Sequence, residues 1–454
     1  MLVLMVGAML AACGQATGTT GTGGTAAPAM EATAAPAMEA TAAPAMEATA
    51  APAMEATAAP AMEATAAPAM EATAAPAAGG GDAGTIKIVS SLPRTGSSKG
   101  QTDTIVNAIK QRFDEANSQA CGGKFKIVYE DMDDATAAAG KWDAAQEASN
   151  ANKAVGDPDV MIYIGTFNSG AAKISIPVLN AANLVMISPA NTYPGLTKPG
   201  KGEANEPDVY YPSKTRNYTR VVPADDLQGA AGANWSKELG ATKVFILDDT
   251  ELYGKGIADV FEATAKKIGL TVVGREGIDG KAADYRALAA KILDAAPDLV
   301  YYGGITQNNA GQLWKDIKGE GFKGNMMGPD GIAETAFIEA AGDAAEGTYT
   351  TFGGLPGDKL EGKGAEWYKA YSAKFGVVEP YTSYGYEAAN VALAAIEKSC
   401  SKDRAAVRDA VFATKDFDGI LGKWSFDANG DTTLTGMSGS QVKSGKFEFV
   451  QVIK

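Results

Sequence analysis

The 454-residue sequence contains no histidine. Imidazole is the usual base that activates a serine nucleophile and the commonest protein ligand of transition metals, so its absence argues against a Ser-His hydrolase and most zinc sites. Cysteine is scarce as well, because Cys13, Cys121 and Cys400 are the only three and lie too far apart for a zinc or iron–sulfur cage. We therefore expect no metal ion and no other cofactor.

Positive charge is also in short supply, with 40 Lys and Arg against 54 Asp and Glu and a net charge of −14. Such an acidic chain is a poor partner for nucleic acid or for an anionic membrane surface. Seven of the acidic residues and none of the basic ones precede residue 85, so half of the net charge belongs to that segment. The remainder carries an ordinary charge and is long enough for two domains.

No apolar run reaches the roughly 20 residues that a membrane-spanning helix needs. The twelve residues before Cys13 suit the apolar core of a signal peptide, although no Lys or Arg precedes them. The sequence LAAC, which ends at Cys13, resembles the bacterial lipobox, in which the cysteine is lipidated and becomes the mature N-terminus. We expect residues 1–13 to be a lipoprotein signal segment, and the lipid to hold an exported protein on the outer side of a membrane.

Residues 14–84 contain six copies of the octad AAPAMEAT and have a proline at every eighth position through most of their length. Proline breaks helices, and helices shorter than about 12 residues are marginal in water. Octads this small and polar also bury too little surface to stack as a solenoid. We expect a disordered tether that spans about 45 Å as a coil.

From Thr85 onward, short β-branched runs alternate with amphipathic helical stretches, which predicts parallel sheets covered by helices on both faces. Two such series predict an α/β fold with two doubly wound parallel-sheet lobes. The strands of the first series are TIKIVSSL, KFKIVYEDM, VMIYIGT and NLVMISPA, and those of the second are KVFILDD, LTVVGREGI, DLVYYGG and NMMGPDG.

The loops that follow these strands are rich in Ser, Thr, Asn and Gly, and in such folds ligands bind at the carboxyl ends of the strands. Hydroxyl groups beside helix N-termini suit a carboxylate or another small anion. Asp330, in the loop GPDG, supplies a negative charge that suits an ammonium group. Together these features indicate an α-amino acid as ligand.

The first of these loops contains GSSKG, residues 96–100, which matches the G-x-S-x-G pattern of serine hydrolases. Without histidine, Ser98 would need Lys99 as its base, and adjacent residues on a turn rarely point at each other. We expect this loop to contact the ligand at the edge of the cleft. An enzymatic role is not expected.

Other catalytic or metal-binding motifs are incomplete. The sequence YGKGIAD has Asp259 where a dinucleotide-binding loop has its third glycine, and no Gly-Lys pair is followed by Ser or Thr as in a P-loop. The sequence DANGD, residues 427–431, departs from a calcium loop at Thr432 and Ser438, so a hairpin turn is expected there.

A resemblance to a known family rests on four stretches of the sequence: MISPANTYPGLT (186–197), YTRVVPADDLQG (218–229), YGKG (253–256) and GDAAEG (342–347). The shorter stretches YYGG and MGPDG also occur in the order expected for that family. On these residues the sequence resembles the solute-binding proteins of ABC importers, of the type I periplasmic-binding fold, in the branch typified by the leucine/isoleucine/valine-binding protein. The resemblance covers about residues 85–454.

The resemblance implies a ligand site. Ser169 and Thr192 match residues that donate to the ligand carboxylate, and Ala190 matches a position that contributes backbone groups. Tyr253 matches a tyrosine that closes over the ligand from the second lobe. Asp330 stands where the family uses a glutamate for the ligand ammonium, so the charge is kept and the reach is shorter.

Two further positions bear on specificity. Ile305 stands where amino-acid binders of this family often have an aromatic residue, and Lys99 where they often have tyrosine. A branched-chain amino acid is therefore the default ligand, while other amino acids, amides and small carboxylates stay open. A ligand-sensing receptor module of the same fold is the alternative to a transport protein.

The resemblance also implies the domain organisation, with a hinge that the chain crosses near Pro223, Gly353 and Gly436. The first lobe would comprise residues 85–223 and 353–436, and the second 224–352 and 437–454. The ligand would dock on the first lobe, closure would follow, and a membrane ABC permease would recognise the closed monomer. For Cys121 and Cys400 the sequence leaves open a disulfide or two free thiols.

Overall fold

The computed structural model describes residues 84–453, so Cys13 and nearly all of the expected tether lie outside the described residues. The first part of the described chain forms a six-stranded sheet in the order β2-β3-β1-β4-β5-β6. Its elements are β1 (Thr85–Leu92), α1 (Lys99–Glu115), β2 (Gln119–Ala120), β3 (Phe125–Asp133), α2 (Ala144–Gly156), β4 (Val160–Gly165), α3 (Ser169–Ala181), β5 (Val185–Ser188) and β6 (Tyr218–Arg220).

The middle of the chain builds a second sheet. Its elements are α4 (Asp225–Glu238), β7 (Lys243–Asp248), α5 (Leu252–Lys267), β8 (Thr271–Gly277), α6 (Arg286–Ala295), β9 (Leu299–Gly303), α7 (Ala310–Gly319), β10 (Asn325–Gly328), α8 (Thr335–Ala341) and β11 (Tyr349–Gly353).

The chain then returns to the first sheet with three helices and a small hairpin, and finally adds two strands to the second sheet. These elements are α9 (Lys363–Phe375), α10 (Thr382–Ser399), α11 (Arg404–Phe412), β12 (Phe417–Gly419), β13 (Gly422–Trp424), β14 (Met437–Lys443) and β15 (Lys446–Ile453). The second sheet has the order β15-β14-β11-β10-β9-β7-β8. We call the elements around the first sheet the first lobe and those around the second sheet the second lobe.

The prediction of two α/β lobes with doubly wound sheets is confirmed, with one difference at the sheet edges. The central strands pair in parallel, whereas β2 pairs antiparallel with β3, and β14 pairs antiparallel with both β11 and β15. Antiparallel strands need only a short connection, so the short turns between β2 and β3 and between β14 and β15 each add a strand at the edge of a sheet.

Each lobe has its own core. In the first lobe α10 packs against α1, and apolar residues of both helices meet buried strand residues such as Ile88 and Ile162. In the second lobe Trp314 packs edge-on against Tyr302 and Phe337, with ring centroids 5.7 and 5.2 Å apart. Among the helices within residues 84–453, none has the length and apolar character needed to cross a membrane.

Three segments connect the lobes and lie side by side. The backbone N–H of Gly354, on the second segment, donates to the carbonyl of Gly436 on the third at 2.8 Å. A Cβ atom on Gly353 would lie 3.3 Å from Pro223 on the first segment. The hinge is therefore a compact set of three strands of chain, about which the lobes can rotate.

Cys121 and Cys400 form a disulfide, with their Cα atoms 5.8 Å apart. The bond joins the turn after β2 to the C-terminal end of α10, which are 279 residues apart in sequence. It therefore fixes the returning helix α10 to the sheet that the chain built first.

The interior of the first lobe holds a pair of buried carboxyl groups, Glu147 and Asp134. Glu147 accepts hydrogen bonds from the hydroxyls of Ser91 at 2.5 Å and Tyr163 at 2.9 Å. Burial raises the pKa of Glu147 to about 7. Burial, together with the nearby charge of Glu147, raises the pKa of Asp134 well above its ordinary value. The fold therefore favours the protonated form of this pair.

We expect Glu147 to make the protein less stable as pH rises from 5 to 8. Its folded-state pKa lies above that of the unfolded chain, so its contribution is full at low pH and is lost as pH rises toward 7, by about 3 kcal/mol. Buried Asp249 and Glu334, whose pKa values burial also raises to about 7, act in the same direction. Glu147→Gln should flatten this dependence, measured as the free energy of unfolding in urea at pH 5 and pH 8.

The matched control is Glu130→Gln. Hydrogen bonding to Lys153 holds the pKa of Glu130 below its ordinary value, so Glu130 stays ionised throughout this range. The Glu130 variant should keep the wild-type difference between the two pH values. If the Glu147 variant shows the wild-type difference in unfolding free energy between pH 5 and pH 8, Glu147 is not a source of the pH dependence.

Candidate functional site

The first lobe offers a helix N-terminus and a hydroxyl-rich loop at the carboxyl ends of its strands. Ser169 is the first residue of α3, and the side chain of Asn168 before it does not cap the N–H groups of the first turn. The Ser169 hydroxyl accepts a hydrogen bond from the N–H of Tyr193 at 3.3 Å, which brings the loop of Ala190 and Thr192 beside it. Ser169, Ala190 and Thr192 are all buried. This arrangement suits a small anion.

A buried arginine holds that loop in place. Arg220, at the end of β6, is fully buried and donates to the carbonyls of Asn191 at 3.3 Å and Tyr193 at 2.9 Å, on either side of Thr192. Its Nε pairs with Asp431, on the segment that leads to the third crossing, at 2.6 Å. Removing either partner would leave an uncompensated buried charge, so this pair fixes the position of Thr192.

The second lobe contributes a buried carboxylate, Asp330, which is 5 % exposed. Its Oδ1 accepts hydrogen bonds from Gln228 at 2.7 Å and Tyr253 at 2.8 Å, and its Oδ2 accepts one from Tyr381 of the first lobe at 2.5 Å. Burial raises the pKa of Asp330, although the hydrogen bonds from Tyr381, Tyr253 and Gln228 oppose this rise. Asp330 therefore lies where the two lobes meet.

A second carboxylate, Asp225, lies close to Asp330. It is fully buried at the start of α4, and neither of its side-chain oxygens has a hydrogen-bond partner among residues 84–453. Its backbone N–H donates to the carbonyl of Thr192 at 2.9 Å, so Asp225 connects the second lobe to the hydroxyl-rich loop. Burial raises the pKa of Asp225 well above its ordinary value, and the charge of Asp330 adds to the rise. Two neighbouring buried carboxylates are a site for a cation.

Tyr253 and Ile305 form an apolar wall of the second lobe, together with Ile257. Asp249 positions this wall, because its carboxylate accepts from the N–H of Ile305 at 3.1 Å and from Asn308 at 2.7 Å. The sequence-predicted residues Tyr253, Ile305 and Asp330 are thereby brought together.

The loop GSSKG leads into α1, and its two predicted ligand residues, Ser98 and Lys99, differ in their burial. Ser98 is buried, and its carbonyl accepts the hydrogen bond from Thr102 that starts the helix. The side chain of Lys99 is 55 % exposed and pairs with Asp103 one turn along α1, so the structure does not bring it to the other predicted residues. Gly96 is required by sterics, because its φ is +86° and a Cβ atom would collide with the carbonyl of Gly140.

The lobes also contact each other at the edge of the cleft. Lys141 of the first lobe forms an ion pair with Glu251 and donates to Asn308 at 2.6 Å, and the indole N–H of Trp142 donates to Glu251 at 3.1 Å. We call these four residues the latch. They make direct bonds between the lobes, so the structure is a closed form.

Sequence reasoning missed Asp225, Gln228 and Tyr381. Asp225 and Gln228 occur in the stretch VVPADDLQG and follow β6, so the rule that ligands bind beyond strand ends could have found them. Tyr381 precedes α10 and follows no strand, so no comparable signal pointed to it. Among residues 84–453, no three or more His, Cys, Asp or Glu side chains are grouped to hold a metal ion.

Comparison with known proteins agrees with this geometry. Residues 85–446 match the model of a family described as periplasmic binding protein. The chain is 31 % identical over 360 residues to Leu/Ile/Val-binding protein homolog 2 of Brucella abortus (strain 2308), an alignment that covers 79 % of this chain and 90 % of that protein.

Two solved structures are similar in fold. The leucine-binding protein LivK from Thermotoga maritima has a TM-score of 0.71 and 25 % identity, over 81 % of this chain and 99 % of that one. The branched-chain amino acid transporter substrate-binding protein LivJ from Streptococcus pneumoniae, in complex with isoleucine, has a TM-score of 0.69 and 25 % identity, over 82 % and 99 %.

Proposed function

Because this chain belongs to the periplasmic binding protein family, we propose that it captures an amino acid between its lobes and presents it to the membrane permease of an ABC importer. Family membership implies a location outside the cytoplasm. The relatives named as Leu/Ile/Val-binding proteins, and the LivJ complex with isoleucine, support a branched-chain amino acid as the first ligand to test.

The single observation that carries this proposal is the pair of buried carboxylates, Asp225 and Asp330, beside the Thr192 loop that is hydrogen-bonded to Ser169 at the start of α3. A cation stabilises two buried negative charges, and a helix N-terminus with hydroxyl groups stabilises an anion. An α-amino acid carries both charges on one carbon atom. It can therefore satisfy both ends of the site at once.

We assign one role to each side of the cleft. Ser169 and Thr192, with backbone groups at Ala190, bind the ligand carboxylate on the first lobe. Asp330 binds the ammonium group from the second lobe, and Tyr253 covers the ligand as the lobes close. These roles are consistent with domain boundaries near the three crossings, which assign residues 85–223 and 353–436 to the first lobe.

We propose that the ligand side chain packs against the apolar wall at Ile305. An aliphatic residue there suits an aliphatic side chain by contact area, which favours leucine, isoleucine or valine over small polar amino acids. We further propose Ser98 and Lys99 as peripheral ligand contacts, and the contact of Lys99 requires its side chain to leave the ion pair with Asp103.

We further propose that Cys13 carries a lipid, that residues 14–84 act as a tether, and that the protein works as a monomer. Attachment to the membrane raises the local concentration of the protein near its permease, which compensates for a weak encounter.

We expect the latch to set part of the ligand affinity. Lys141→Met removes the ion pair with Glu251 and the hydrogen bond to Asn308, so the closed form becomes less populated and the apparent dissociation constant for leucine rises about 3- to 10-fold. Isothermal titration calorimetry measures this change.

Lys266→Met is the matched control, because Lys266 pairs, among the described residues, with Glu262 alone, within α5 at 2.6 Å. Its affinity for leucine should equal that of the wild type. An unchanged affinity in the Lys141 variant would show that the latch forms without favouring closure.

The function is tested by thermal shift of the protein with leucine, with 4-methylpentanoate, which lacks the amine, and with 3-methylbutylamine, which lacks the carboxylate. A ligand at 100 times its dissociation constant adds about 2.7 kcal/mol of stability. Leucine alone should raise the melting temperature. If 4-methylpentanoate raises the melting temperature as much as leucine does, Asp330 has no role in binding and the protein binds carboxylates. If no amino acid raises the melting temperature, the proposed function is wrong.

A further inference from the structure

A cavity of about 730 Å³ lies beside the hinge, between the outer strands of the second sheet and the segment 356–380 of the first lobe. Its floor is the face of β11, β14 and β15 on which phenyl and hydroxyl side chains alternate. Phe352 stands opposite Ser438 across the pairing of β11 with β14, and Ser440 stands opposite Phe449 across β14 and β15. The volume is typical of a small-molecule site.

Ser438 indicates that the cavity binds a polar group. It is 1 % exposed and lines the cavity, and its hydroxyl has no hydrogen-bond partner among the described residues 84–453. Buried hydroxyl groups in folded proteins nearly always have a partner. A ligand with one donor or acceptor at this point would supply it.

The remaining lining indicates an uncharged ligand. Phe352, Phe447 and Phe449 provide aromatic surface. Among the charged lining residues, Lys359 pairs with Asp358 at 2.8 Å, and Lys446 and Glu448, at exposed positions of β15, carry opposite charges. The buried carboxylate that reaches the cavity, Glu379, already accepts a hydrogen bond from the Thr335 hydroxyl at 2.5 Å. The described residues therefore offer no buried charged group, free of other partners, that would select a charged ligand.

The cavity is connected to the interlobe cleft through one aromatic contact. The Phe352 ring packs edge-on against that of Tyr381, with centroids 5.1 Å apart, and the Tyr381 hydroxyl donates to Asp330. The walls of the cavity also come from both lobes, because segment 356–380 faces β14 and β15. The cavity consequently has this shape only when the lobes are closed.

We propose that this cavity is a second binding site, for an uncharged aromatic molecule that carries one hydroxyl or amide group, and that its occupant favours the closed form. The occupant contacts both lobes at once. It therefore binds the closed form more tightly than the open form and raises the affinity of the cleft ligand.

The probe is 2-naphthol, whose ring fits the aromatic floor and whose hydroxyl reaches Ser438, with naphthalene as the analogue that lacks the hydroxyl. Binding to the full chain is followed by the fluorescence of each probe. We expect Ser438→Ala to weaken 2-naphthol binding about 5- to 10-fold and to leave naphthalene binding unchanged. Ser440→Trp, which fills the cavity, should abolish the binding of both probes.

Coupling is measured by titrating leucine with and without saturating 2-naphthol. We expect about a 3- to 5-fold gain in leucine affinity, and an equal gain in 2-naphthol affinity when leucine is present. Circular dichroism and melting curves establish that both variants fold. If Ser440→Trp does not fold, Ser438→Ala alone decides the site.

Absence of 2-naphthol binding to the wild type, or binding that neither variant weakens, overturns the site. Binding without any change in leucine affinity overturns the preference for the closed form. The 2-naphthol titration needs no cleft ligand, so it still decides the site if leucine does not bind and the proposed function fails.

Discussion

Replacing Asp330 with asparagine is expected to lower the affinity for leucine by a factor of 100 or more. The carboxylate is buried and would face the ligand ammonium, so its neutralisation leaves that cation unpaired out of water, at a cost of about 3 to 5 kcal/mol. Isothermal titration calorimetry measures the loss directly.

The same variant separates binding from folding. Asp330 lies beside Asp225 in the absence of a cation, so removing one charge should leave the melting temperature of the unliganded protein unchanged or raise it. The shift induced by leucine should disappear. Asp343→Asn, which neutralises an exposed carboxylate of the same lobe, is the control and should bind as the wild type does. Tight leucine binding by the Asp330 variant would exclude this residue from the ammonium site.

Replacing Cys400 with serine is expected to lower the free energy of unfolding by about 3 to 5 kcal/mol, because the disulfide closes a very long loop of the unfolded chain. Urea unfolding under oxidising conditions measures this loss, as a lower midpoint urea concentration and a lower free energy of unfolding. Leucine affinity should change little, since the bond lies at the end of α10 away from the cleft.

Three further measurements isolate the covalent bond from the side chains. Cys121→Ser and the double variant should each lose the same stability as Cys400→Ser, because either change removes the same bond. A thiol reductant should destabilise the wild type to that level and leave all three variants unaffected. A double variant that is much less stable than either single variant would show that packing of the sulfur atoms, and not the bond, is responsible.

Most of the architecture could be predicted from the sequence because its strands are buried on both faces. Runs such as VMIYIGT and KVFILDD have no polar alternation, so each marks a strand of a covered parallel sheet, and the structure places β4 and β7 on those residues. Loops beyond such strands hold Ser169, Tyr253 and Asp330, so the rule about strand ends pointed to these loops, whereas the resemblance singled out Ser169 and Tyr253 within them.

The edge strands β14 and β15 were not predicted, for a physical reason. MSGSQVK is mostly polar, and the exposure of KFEFVQVI alternates along the strand as in a half-exposed antiparallel strand, so the search for covered parallel strands passes over both. Tyr381 and the latch residue Lys141 are long-range partners from helix starts and loops. Local periodicity contains no information on such contacts.

Lys99 shows a different limit. The resemblance assigned it a ligand position from its place in the loop, but the direction of a long flexible side chain depends on its neighbours. Asp103, one turn away on α1, offers an ion pair at the surface. Its role at the ligand stays a prediction.

The two carboxylates of the cleft have a consequence for proton exchange. In the closed form both lie out of water, and their raised pKa values mean that an unloaded molecule closes most easily after taking up a proton. A cargo that brings its own positive charge makes that proton unnecessary. Closure is therefore tied more closely to loading as pH rises. In acidic surroundings vacant molecules close more readily.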